Sequence, residues 1–167
     1  MRRTSKSTTA RGGGFILFAL EGAPPLASPL PHRSSIMIYK ISPWADSVEL
    51  ISANGELTAT IVDTREIAMG SPTSGSLTIS NGMIFQRCNP SIVWSDDSQF
   101  LAVPQWTFLR DQRLLVIAPK ENRFGYAKGI FRVLELHSFS DGKIKGIDSP
   151  IYQPCEIEMD INEIQWS

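Results

Sequence analysis

Histidine and cysteine are scarce in this chain. Its 167 residues hold His32 and His137, Cys88 and Cys155, and no CxxC pair. A four-ligand zinc site of the common Cys/His kind would consume nearly all of them at unsuitable spacing, so no metal ligands are expected. Two cysteines are compatible with either redox compartment. No apolar run approaches the roughly 18 residues of a membrane-crossing helix. No stretch carries a 3.6-residue apolar period with caps, which argues against a helical fold. No Gly-x-Ser-x-Gly elbow or comparable context marks a nucleophile. Composition and motifs therefore point to no cofactor and no linear catalytic signature.

The first 36 residues differ from the rest. They are rich in Ser, Thr, Arg, Gly and Pro, and hold Arg2, Arg3, Lys6, Arg11 and Arg33 against Glu21 alone. The apolar core "FILFAL" is six residues, shorter than the usual 7–15 of a secretory signal, and Glu21 interrupts the small-residue stretch after it. Residues 1–36 read as a disordered or targeting extension, with Met37 as an alternative start. Residues 37–167 read as a single, mildly acidic β domain, expected in the cytoplasm unless the extension is a signal or transit peptide.

Within that domain, turn signals separate short apolar runs. Asn54-Gly55 and Asn81-Gly82 are strong hairpin signals, since both positions of each accept φ > 0. Ser95-Asp96-Asp97-Ser98 is a polar turn whose side chains can bond nearby backbone. "FSDGKIKGI" turns at Asp141-Gly142. "RLLVIAP" and "GIFRVLELHSF" read as central strands, and "KENRFGYAKG" between them as a loop. A short helix around 64–69 is a weaker reading.

A repeat runs through this pattern. "IFQRC" at 84–88 matches "IYQPC" at 151–155, and "IVWS" at 92–95 matches "IQWS" at 164–167. "SPWADSVEL" at 42–50 is a fainter third phrase. The stretch Trp94–Ala102 resembles the inner strands of a β-propeller blade of the WD-repeat or TolB-like kind. It lacks that family's Gly-His and closing Trp-Asp dipeptides, and the spacing of the matched phrases exceeds the usual 40–45 residues. A closed propeller needs at least four blades, more than 131 residues supply at this spacing. The expected fold is all-β, an antiparallel meander with propeller-blade-like hairpins, closing as a sandwich or half-open barrel rather than a complete propeller.

Several clusters invite chemistry. Phe131, Val133, Glu135 and His137 share one face by period 2, and Glu135 could orient His137. Cys88 and Cys155, equivalent in the repeat, read as two small buried hydrophobes or as neighbours able to form a disulfide. Asp96-Asp97 could meet a hard cation, but a turn already accounts for them. Arg110, Arg113, Lys120, Arg123, Lys128 and Arg132 are interleaved with Trp106, Phe108, Phe124, Tyr126 and Phe131, a pattern suited to single-stranded nucleic acid. The acidic body and the lack of an RNP-like motif weigh against that partner.

The C-terminal run "CEIEMDINEIQW" is the sharpest feature. Ile157, Met159 and Ile161 alternate with Glu156, Glu158 and Asp160, as in a half-buried strand, and the phase slips at Asn162-Glu163. The carboxylates read as a solvated face or as a docking strip for a basic protein. The reading adopted is a non-catalytic protein-interaction module, with Glu156, Glu158, Asp160 and Glu163 and the hairpin tryptophans Trp94 and Trp106 as candidate binding residues. The competing reading is an enzyme or small-ligand binder whose site is built across strands.

Overall fold

A computed structural model describes residues 40–167, and the 1–36 extension and Met37 lie outside the described residues. Residues alternating between apolar and polar, broken every few positions by turn formers, produce twelve strands. These are β1 (Val48–Ile51), β2 (Thr58–Glu66), β3 (Thr73–Ile79), β4 (Ile84–Cys88), β5 (Val93–Trp94), β6 (Leu101–Trp106), β7 (Gln112–Ala118), β8 (Arg123–Tyr126), β9 (Leu134–Ser140), β10 (Lys143–Asp148), β11 (Cys155–Asp160) and β12 (Gln165–Trp166). Two 3₁₀ turns, Pro119–Glu121 and Ile161–Glu163, are the helical segments among the described residues. The fold is all-β and antiparallel, as expected. Nine strands form one sheet, β1-β2-β3-β4-β6-β7-β8-β12 with β5 on β6, curled into a half-barrel, and β11-β10-β9 form a second sheet. No propeller closes.

The matched phrases do not correspond in the fold, but a different repeat, between β1–β4 and β5–β8, is written in hydrogen bonds. Ser52 N–H donates to Leu57 O, Gly55 N–H to Ser52 O and Leu57 N–H to Ser52 Oγ. Asn54 Oδ1 accepts from Ser52 Oγ and from Glu56 N–H. Bond for bond, Ser95 N–H donates to Phe100 O, Ser98 N–H to Ser95 O and Phe100 N–H to Ser95 Oγ. Asp97 Oδ1 accepts from Ser95 Oγ and Gln99 N–H. "SANGEL" and "SDDSQF" are thus one turn made twice, 43 residues apart (Ser52 to Ser95). The fourth residue is left-handed in both, Gly55 at φ +74 and Ser98 at φ +59. Ser98 is buried, and its Oγ accepts the Asn54 N–H at 3.0 Å, so the two turns touch.

Strand pairing repeats in step. Leu50↔Ala59 and Ile51↔Thr58 recur as Val93↔Ala102 and Trp94↔Leu101. Ala59↔Ile79, Thr60↔Thr78 and Ile61↔Leu77 recur as Ala102↔Val116, Val103↔Leu115 and Pro104↔Leu114. The meander β1–β4 and the meander β5–β8 therefore share one plan. They join through a single residue pair, Cys88↔Gln105, which lets the sheet fold over on itself.

That folding builds the core. One face of β2–β3, Ala59, Ile61, Leu77 and Ile79, packs on the opposite-sense face of β6–β7, Leu101, Val103, Leu115 and Ile117. The other face of β6–β7, Ala102, Leu114 and Val116, packs on Leu134, Leu136, Phe139 and Ile144 of the second sheet. Two clusters thus lie between three successive layers. The outermost faces are different in kind. The positions in β2–β3 equivalent to Leu101, Val103, Leu115 and Ile117 are Thr58, Thr60, Thr78 and Ser80. Exposed Ile51, Val62 and Ile84 are spread across that face in separate cross-strand rows. On the far side, Lys143, Lys145, Glu156 and Glu158 face solvent.

Three expectations need correcting, and one weaker reading falls away. "KENRFGYAKG" is not wholly a loop, because Arg123–Tyr126 is β8. Phe124 and Tyr126 are half-buried on the first cluster, and Gly125 lets β12 approach closely. "GIFRVLELHSF" is not a central strand. It becomes β9 only from Leu134, at an edge of the three-stranded sheet, with Ile130 exposed. "IYQPC" does not repeat "IFQRC", since the latter is β4 while Ile151–Pro154 is a turn. The stretch 64–69 forms no helix, as β2 runs to Glu66 and then turns.

Candidate functional site

The two tryptophans proposed as binding residues are interior. Trp94 is buried in the first cluster and donates Nε1–H to Leu50 O at 3.0 Å. Trp106 is buried and donates to Thr73 O at 3.0 Å. Trp94 is closed off inside that cluster, whereas Trp106, although buried, borders a cleft at the loop end of the layers. Their ring area and satisfied N–H make them packing residues.

The acidic residues stay at the surface, but part of their charge is spent locally. Glu158 on β11 pairs with Lys143 at 2.7 Å and Lys145 at 3.3 Å, both on β10. Its carboxyl is held below the usual range by Lys143 first and Lys145 second. Asp160 Oδ1 accepts the Asn162 N–H at 2.8 Å and so caps the 3₁₀ turn. That turn is the phase slip seen at Asn162-Glu163. Glu156 and Glu163 are exposed, with no ion pair among the described residues. The expected alternation holds, with Ile157, Met159 and Ile161 packed against the second cluster.

Other clusters resolve into structure. His137 Nε2 lies 3.0 Å from Glu135 Oε1, and Lys40 Nζ reaches the same oxygen. Burial pushes the Glu135 pKa up, yet Lys40 and His137 together outweigh it and hold the group below its usual range. No serine or cysteine hydrogen-bonds His137 among the described residues. Asp96 and Asp97 serve their turn, and no group of three ligating side chains converges among the described residues. Cys88 is buried and Cys155 exposed, and they do not pair. Burial raises the Cys88 thiol to about 12.

Half of the cations in the basic–aromatic stretch are committed within the fold, while Arg110, Lys128 and Arg132 stay exposed. Arg113 covers Tyr126, Arg123 covers Trp166 and pairs with Glu121, and Lys120 pairs with Glu56. These contacts cover the Tyr126 and Trp166 rings that bases would stack on.

What sequence reasoning missed lies at one end of the layers. The loops β2–β3, β6–β7 and β10–β11 each join the second and third strands of a meander, and together they border a cleft of about 350 Å³. Trp44, Pro72, Trp106, Val133 and Pro150 supply apolar lining, with Arg110, Asp111 and Arg132 as its charged groups. Met69 and Tyr152 line it at 101% and 90% exposure with exposed Ile151, and Phe108 (90%), Leu109 and Ile130 are exposed on loops that also supply lining residues. Six large apolar side chains presented to water at one end are more than scattered surface residues require.

These loops are held, not loose. Ser71 Oγ donates to Ala68 O and accepts from Ala68 N–H, and Trp44 Nε1–H donates to Gly70 O. Thr107 Oγ1 accepts from Leu109 and Asp111 N–H, and Thr107 N–H donates to Asp111 O, closing the turn that projects Phe108. Asp148 Oδ1 accepts from the Arg132 and Val133 N–H groups at 3.0 Å each, and Ser149 N–H donates to Val133 O. Arg87 stacks on Phe108 at 3.8 Å to the ring centroid. The sequence signal was present in "TFLRD" and "SPIYQP", where apolar pairs sit inside polar turns, the reverse of ordinary loop composition.

No family model, curated protein or solved structure matches the chain. Among the described residues no helix is long and apolar enough to cross a membrane.

Proposed function

We propose that this chain is a non-catalytic protein-interaction module whose main docking face is the loop end of its layered sheets. One observation carries the reading. Met69 and Tyr152 line the cleft almost fully exposed, and Phe108 stands as exposed on the hydrogen-bonded loop that supplies its Arg110 and Asp111. Fixed loops lower the ordering cost of association, and aromatic anchors supply most of its energy. Arg110 and Arg132, exposed and in no ion pair among the described residues, favour a partner segment that offers carboxylates beside apolar side chains.

The competing reading is a small-ligand site, favoured by the cleft volume, which falls at the low end of the roughly 300–1,000 Å³ typical of ligand pockets. The test compares the full chain with the triple variant Met69→Ser, Phe108→Ser, Tyr152→Ser in affinity capture from the native host. Folding is checked by circular dichroism. These side chains are solvated, so the variant is expected to keep its stability and lose its captured proteins. Unchanged capture overturns the reading. Self-association of the wild type that the variant abolishes would assign the face to a second copy instead.

A further inference from the structure

The geometry points to a second binding site at the open edge of β11, one that takes an extended polypeptide segment with basic and apolar residues in alternation. This does not rest on the loop-end reading. In the three-stranded sheet β11 is an edge, paired only with β10. Ile161 N–H donates to Gly142 O at 2.8 Å. In an antiparallel ladder the bonded pairs alternate. Met159, Ile157 and Cys155 therefore bond inward, opposite Ile144, Gly146 and Asp148. Glu156, Glu158 and Asp160 turn their N–H and C=O groups outward. Among the described residues these meet no backbone partner, and only the Cys155 thiol reaches Glu156 O, at 3.7 Å. The edge is six residues long, carries no proline and has its pairing registered by β10, so it is a ready template for strand addition.

Side chains decide what can be added. The residues with outward backbone are the acidic ones, and their side chains share the solvent face of the sheet. A second copy of β11 would set these carboxylates against their own kind, in parallel or antiparallel register, which disfavours self-pairing. A strand with Lys or Arg opposite Glu156, Glu158 and Asp160 meets the opposite sign. Lys143 and Lys145 neutralise Glu158 from the inner side, so the uncompensated attraction centres on Glu156, since Asp160 lies opposite Lys143 and caps the 3₁₀ turn. Between the basic positions, the added strand places its alternate residues on the side of half-buried Ile157 and Met159, where apolar side chains extend the second cluster. The occupant is thus an extended, basic, amphipathic segment, and its register is set by the charges.

The test uses the full chain and a nine-residue end-blocked peptide alternating valine and lysine, with a block isomer of the same composition as control. The alternating peptide is expected to bind at least tenfold more tightly than the isomer. On its addition the amides of Glu156, Glu158 and Asp160 should gain protection from hydrogen exchange while the loops at 67–72 and 107–111 stay unchanged. Glu158→Gln and Glu158→Pro remove the same charge, but only the second removes the outward N–H, and an edge tolerates proline there. The proline variant should bind several-fold more weakly than the glutamine variant. Equal binding of the two peptides would reduce the site to bulk charge and overturn the proposal, as would no binding or unprotected edge amides. If Glu158→Pro does not fold, the exchange pattern of the wild type decides alone.

Discussion

Thr60 and Val103 occupy equivalent places in the two meanders, each opposite the equivalent residue of the next strand, Thr78 and Leu115. They differ in what covers them. Val103 is fully buried in the first cluster, whereas Thr60 lies on the outermost face. Exchanging their chemistry tests the layered arrangement directly. Val103→Thr keeps shape but buries a hydroxyl among aliphatic carbons, with the local carbonyls already engaged in the ladder. Such a swap is not conservative, and an unpartnered buried hydroxyl costs about 1–3 kcal/mol. Thr60→Val removes a hydroxyl from a solvated face and should fall within about 0.5 kcal/mol of wild type. Urea unfolding followed by circular dichroism separates the two through their midpoints at constant slope. For a domain of this size the buried swap should also lower Tm by roughly 3–5 °C per kcal/mol. Comparable effects from both swaps, or a Val103→Thr cost below about 0.5 kcal/mol, would refute the layer assignment.

Gly125→Ala should release β12, since a Cβ there would lie 2.6 Å from Gln165 O and 2.7 Å from Ile164 Cγ2; thermal unfolding should show a loss of about 1.5–3 kcal/mol, the burial worth of Ile164, with fast amide exchange confined to 165–167. Titration with a thiol reagent should label Cys155 at once and Cys88 only on unfolding, because Cys88 is buried with its thiol raised to about 12; two fast equivalents would contradict the packing. Because Glu135 has a folded pKa below its unfolded value, its contribution to stability is present above the usual carboxylate range and is lost as pH falls through the lowered folded value. Lys40→Ala should therefore raise the Glu135 pKa seen by carbon-detected NMR and shift acid unfolding to higher pH, and an unmoved titration would remove Lys40 from that cluster.

The fold class was legible because period-2 alternation and Asn-Gly, Asp-Gly and Ser-Asp turns are local signals with local causes. The Asp141-Gly142 hairpin is as read, with Ser140 opposite Lys143. The repeat that the fold contains was not among the phrases matched by letter. Identity of letters favoured "IFQRC" and "IYQPC", whereas the shared physics is a ring of hydrogen bonds that Ser-Ala-Asn-Gly and Ser-Asp-Asp-Ser satisfy equally well. Asn for Asp and Gly for Ser preserve the acceptor and the left-handed residue while erasing the letter match. Trp94 misled for a related reason. A hairpin Trp in a polar neighbourhood resembles a surface anchor until the facing layer is known, and the facing layer is not local information.

The proposed docking surfaces fall on loops and on one edge because of how the layers use their faces. Both faces of β6–β7 are consumed by packing, and β2–β3 and the second sheet each give one face to it. The faces left over are dressed as surfaces, hydroxyls where the equivalent layer carries Leu, Val, Leu and Ile, and lysine–glutamate pairs on the other side. Apolar exposure that survives in quantity must then sit where strands end, and it does so at Met69, Phe108 and Tyr152. Polar groups left without partners must sit where a sheet stops, and β11 is such a place. A stacked meander of this kind has its interior fixed by what faces each layer, so selection for a partner acts on the loops between second and third strands without disturbing the core. Substitutions at exposed Met69, Phe108, Leu109, Ile151 and Tyr152 should therefore change binding at little cost in stability, while substitutions at Leu101, Leu115 or Ile117 should do the reverse.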